Sequence, residues 1–66
     1  MTHAEKKAAL HTISDAEDAA MRAFNRVAED HCEEIDGRKC AIARTEIEKA
    51  FAVARNVFHA VESQEA

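Results

Sequence analysis

The sequence has no proline, no tyrosine and a single glycine, Gly37, and β-branched or aromatic runs are few. Without such runs strands are disfavoured, and without proline or glycine little interrupts a helix. No apolar run approaches the roughly 20 residues of a membrane span. No basic-then-apolar leader precedes a cleavage site, so the expectation is a cytosolic protein. Large side chains are also scarce. Of 31 hydrophobic residues fifteen are alanine and two are cysteine, leaving fourteen large ones in a chain of 66. So thin a core barely offsets chain entropy in one small domain, which calls for staples or further copies.

Staples are poorly represented. His31, Cys32, Cys40 and His59 are the ligand-type residues near one another, yet no C-x-x-C, H-E-x-x-H or E-x-x-H spacing exists. The cysteines therefore read as small, reduced hydrophobes near a turn, with a Cys32–Cys40 disulfide disfavoured in the cytosol. No cysteine nucleophile has a positioned base. Neither a metal nor a complete active site is expected, and self-association is the default. The net charge of −4 argues against binding DNA or RNA polymers.

The residues that are present favour helix throughout. Thr2 with Glu5, and Ser14 with Glu17, each fit the S/T-x-x-E start of a helix. Acidic residues at 15, 17 and 18 favour the second start through the helix dipole. Asp36-Gly37 breaks the pattern, with Gly37 suited to a left-handed turn and Asp36 to capping the next helix. The reading is a short helix over about 3–11 and longer ones over about 15–35 and 38–61, with 62–66 as a polar tail. This is an all-α single domain over 1–66, an antiparallel helical hairpin preceded by a short helix.

Ala20, Met21, Phe24, Val27, Ala28, His31 and Ile35 recur at helical period on one stripe. Cys40, Ala43, Ile47, Ala50, Phe51, Ala54, Val57, Phe58 and Val61 form a wider one, with Ile42 and Val53 off its centre. A hairpin covers one stripe per helix, so the surplus points to packing between chains. Glu29, Asp30, Glu33, Glu34 and Asp36 read as a solvated face. Along the last helix Phe51, Arg55 and Phe58 fall within about 40° of Arg44. A ridge of guanidinium and phenyl groups suits ligands that carry flat bases and phosphates. Thr45 adds a hydroxyl, and Arg38 and Lys39 place cations at a helix start that already attracts anions. The plainer alternative pairs Arg44 with Glu48 at i+4 and makes the phenylalanines core.

The segment Arg38-Lys39-Cys40-Ala41-Ile42-Ala43-Arg44-Thr45-Glu46-Ile47-Glu48-Lys49-Ala50-Phe51 resembles the last helix of a phage family, the anti-CBASS cyclic-oligonucleotide sponges and their relatives, the Thoeris anti-defence hairpins. Arg55 falls where that family often carries another Arg. Ile13-Ser14-Asp15-Ala16-Glu17 is similar to its Leu-Ser/Thr-x-x-Glu start, and Phe24-Asn25-Arg26-Val27 to its aliphatic-Asn-x-aliphatic run. The resemblance covers about three quarters of the chain. It implies a small hairpin forming a homo-oligomer, a hexamer in that family. Such an assembly binds cyclic dinucleotides between protomers, cyclic trinucleotides at separate sites in some members, or cyclic ADP-ribose isomers in Thoeris-directed relatives. The signal is sequestered without cleavage in the cytoplasm of the infected bacterial host, with no cofactor.

On this resemblance His11 and Arg26 match the dinucleotide-binding positions, and Arg44 and Thr45, with Arg38 nearby, the second site. The chain departs from the family in having no Tyr, no Lys within 15–35, and Ala50 and Ala52 where Gly and Met are frequent. A rival of another class is a structural or protein-binding hairpin, such as a small antitoxin or scaffold, whose apolar ridge meets a partner helix.

Overall fold

The computed structural model describes residues 1–63. Two helices and no strand occur among them: α1 over His3–Asp30 and α2 over Gly37–His59, antiparallel and joined by a six-residue turn. The all-helical hairpin expected from composition is present. The separate N-terminal helix is not.

Residues 3–11 and 15–30 form one continuous helix of 28 residues, about 42 Å long. The Thr2 capping box is made, with the Thr2 hydroxyl accepting from the Glu5 N–H at 3.1 Å and the Glu5 carboxylate accepting from the Thr2 N–H at 2.9 Å. The second S-x-x-E lies inside the helix instead of opening one. The motif caps only where the chain enters a helix from outside, and extending a helix costs less than nucleating a new one. Residues 9–17 contain no Gly or Pro, and the Thr12 hydroxyl donates to the Ala8 carbonyl at 3.0 Å, so nothing there competes with the helix.

At its other end α1 stops at Asp30, five residues before the expected end at 35. Its last turn carries no basic residue, and the exposed acids Glu29, Asp30, Glu33 and Glu34 crowd the negative end of the dipole. Asp36 caps α2 by accepting from the Arg38 N–H at 2.8 Å. Gly37 is the first residue of α2, and no residue described has a positive φ, so its expected left-handed turn is not used. At the far end α2 stops at His59 rather than 61. The Lys6 ammonium donates to the His59 and Val61 carbonyls, each at 3.1 Å, which ties the start of α1 to the end of α2. Of the expected polar tail, Glu62 and Ser63 are exposed and residues 64–66 lie outside the described residues.

The seam between the helices has a three-four spacing. Leu10, Ile13, Glu17, Ala20, Phe24 and Ala28 of α1 face Cys40, Ala43, Ile47, Phe51, Ala54 and Phe58 of α2. It is one side chain deep. Among the described residues only Ala28 is buried, at 8% exposure, and the other seam residues are half-covered. Of the stripes read from sequence, Val27, His31, Ile35, Ala50 and Val57 are exposed instead.

Candidate functional site

The ridge of α2 is part of the seam, not an open surface. Arg44, Phe51, Arg55 and Phe58 all point towards α1 and are half-buried. Both arginines are held by polar partners from α1. Arg55 forms an ion pair with Glu17, whose side chain is 19% exposed against 27% for the arginine. Arg44 donates through Nε to Asn25 Oδ1 at 2.7 Å, and its guanidinium carbon sits 5.8 Å from the centre of the Phe24 ring. The i+4 pairing of Arg44 with Glu48 is not made; an acceptor across the seam takes its place. Phe51 and Phe58 fill the seam and serve the hairpin itself.

Arg44 differs from Arg55 in what it leaves available. Its bond to Asn25 uses Nε, and among the described residues its two terminal nitrogens have no hydrogen-bond partner. Arg44 also lines an open cleft of about 220 Å³ near the turn, together with Ala28, Glu29, Cys32, Ile35, Gly37 and Cys40. The guanidinium is thus fixed on one edge by an amide, supported by a ring, and free on the other to pair with an anion. Glu29 on the same cleft opposes that charge. Cys32 is exposed and Cys40 half-buried, and both are free thiols.

The remaining expected residues are dispersed. Thr45 is exposed and its hydroxyl donates to the Ala41 carbonyl at 3.1 Å, so it offers a ligand only its lone pairs. Arg38 is exposed seven residues earlier, on the same line of α2 as Thr45, about 100° round from Arg44. Arg26 is exposed on the side of α1 away from the seam. His11 lies about 22 Å further along α1, in a shallow recess with Lys7, Leu10 and Ser14. One chain therefore brings none of Thr45, Arg38, His11 and Arg26 to the cleft that Arg44 lines, and Arg55 is taken up by Glu17. No group of three or more His, Cys, Asp or Glu side chains that could hold a metal occurs among the described residues. No helix among them is long and apolar enough to cross a membrane.

Sequence reasoning missed Glu17, Asn25 and Lys6 as partners of the seam. Glu17 could have been found: an acid in register with Ile13, Ala20 and Phe24 on a buried stripe calls for a cation opposite, and Arg55 stands in register with the facing stripe. No family model matches the chain, and neither does any curated protein or solved structure.

Proposed function

We propose that this chain is a non-catalytic binding protein that sequesters cyclic oligonucleotide second messengers in the cytoplasm of an infected bacterial cell, acting as a homo-oligomer. The observation that carries the proposal is Arg44. A guanidinium seated on a phenyl ring, anchored through Nε and belonging to a residue that lines a cleft, suits a phosphate or the face of a base. Arg38 and the Thr45 oxygen lie about 100° round α2 from Arg44, on its outer face. The cleft is open, so a ligand needs a second protomer to be enclosed, and a homo-oligomer, a hexamer on the resemblance, supplies that wall. His11 and Arg26, too far apart to share a ligand within one chain, come together only if supplied by different protomers.

A structural or protein-binding hairpin is the second reading. It is favoured by Arg55, which is occupied by Glu17 and has little to offer a ligand.

Melting curves with a panel of cyclic di- and trinucleotides and cyclic ADP-ribose isomers separate the two. A ligand that binds only the folded state adds about 2.7 kcal/mol of stability at 100 times its dissociation constant. The proposal expects a rise in Tm with at least one member of the panel. No rise with any of them favours the scaffold.

A further inference from the structure

We infer that a second copy of this chain packs on one particular broad side of the hairpin, the side that carries Val27, Val53 and Val57. The two sides differ in chemistry. At 100° per residue, Asn25 and Glu29 of α1 and Arg44, Glu48 and Arg55 of α2 turn towards one side. The other presents Ala16, Ala20 and Val27 from α1 and Ala50 and Val57 from α2, with Val53 and Ile42 at its margin and the charged Asp30 and Lys39 at its turn end. The valines and Ile42 are wet in the single chain: Val27 is 60% exposed, Val53 64%, Val57 59% and Ile42 56%. Glu46, set among them, is paired with Lys49 at 3.7 Å and adds no net charge. Near the turn the same side opens into an apolar recess of about 330 Å³ between Phe24, Val27 and Ile35, large enough to receive a side chain from another molecule.

Area decides the occupant. A compact monomer of this mass exposes about 4,200 Å². This chain exposes 5210 Å². The excess, about 1,000 Å², matches what one partner covers in a standard interface, about 800 Å². The plate is 56 × 16 × 8 Å between Cα extremes, and its radius of gyration is 15.8 Å. A globule of this length would have one of about 11 Å. With one buried residue among those described, the chain needs cover whenever it is folded, and the partner present whenever this chain is present is another copy. Alanines at the centre allow two such plates to approach closely, and a two-fold axis would set the same side of each copy against the other.

The inference rests on the self-association in the proposed function and assigns its surface. The test uses the full chain with Cys32→Ser and Cys40→Ser, carrying either Val53→Cys or Glu48→Cys, and reads both mass by light scattering and the rate of maleimide labelling. Both positions are exposed in the single chain, and both label equally in denaturant. The expected result is a multi-chain mass with Val53→Cys labelled about tenfold slower than Glu48→Cys in the native assembly. A multi-chain mass with equal rates, or with Glu48→Cys the slower, overturns the surface and leaves self-association standing. A mass of one chain overturns both. Val53→Glu with Val57→Glu is the complementary variant, expected to lose the multi-chain species, either as single chains or by unfolding. Retention of the wild-type mass contradicts the assignment.

Discussion

Arg44 is the residue on which the binding reading turns, and its neighbours define how to test it. Arg44→Ala removes a fork of donors and a stacking plane while leaving the best helix former in place. If its terminal nitrogens hold a phosphate or base, affinity for the ligand falls by about 2 kcal/mol or more, as expected for a charge-assisted bond. Glu48→Ala leaves the guanidinium and its Asn25 and Phe24 contacts untouched, so binding stays within about 0.5 kcal/mol of wild type. Titration calorimetry of both variants against a cyclic trinucleotide checks this pair. Equal, small losses would return Arg44 to a structural role.

Glu5 gives a second test at the same scale. The Thr2 backbone N–H, and then its hydroxyl, hold the Glu5 carboxyl below its ordinary value of 4.5. A group whose value is lowered on folding adds stability above its ordinary value and loses it as pH falls through the lowered one. The Thr2 amide signal in an NMR titration should therefore shift with Glu5 at a midpoint below 4.5. A midpoint at or above that value contradicts the capping box.

The two helices show where sequence periodicity informs and where it stops. Ala, Glu, Lys and Arg in bulk, with no Pro and one Gly, made the helical class legible, and the acidic N-cap Asp36 marked the start of α2. The division at 11–15 was not legible, because Ser14 and Glu17 form the pattern of a helix start wherever they occur; only their tertiary setting decides. Ile13 and Glu17 face α2, so the seam itself runs across the stretch that local pattern would have broken. The register of the seam was equally hidden. Arg44 meets Asn25 and Arg55 meets Glu17 because of where the turn sets α2 against α1, which no spacing within either helix encodes. Gly37 belongs to the same lesson. Its conformation is helical and a Cβ there would meet nothing within 4 Å. Gly37→Ala should accordingly raise stability by about 0.5 kcal/mol through the unfolded chain, read as a higher urea midpoint at fixed protein concentration. A lower midpoint would mean that the turn uses a freedom only glycine has.

The described molecule is a plate with little interior, a consequence of fourteen large side chains, eleven of them spread over two long helices. That incompleteness links assembly to function in this account: another protomer both covers the apolar side and encloses the open clefts. Native mass spectrometry of the purified chain with a cyclic trinucleotide tests the link most directly, since it reads stoichiometry and ligand mass together. The account predicts a species of several protomers, six on the resemblance, carrying ligand that is released on denaturation with its mass unchanged. Single chains without ligand, or bound nucleotide whose mass has gained a water through hydrolysis, would contradict it.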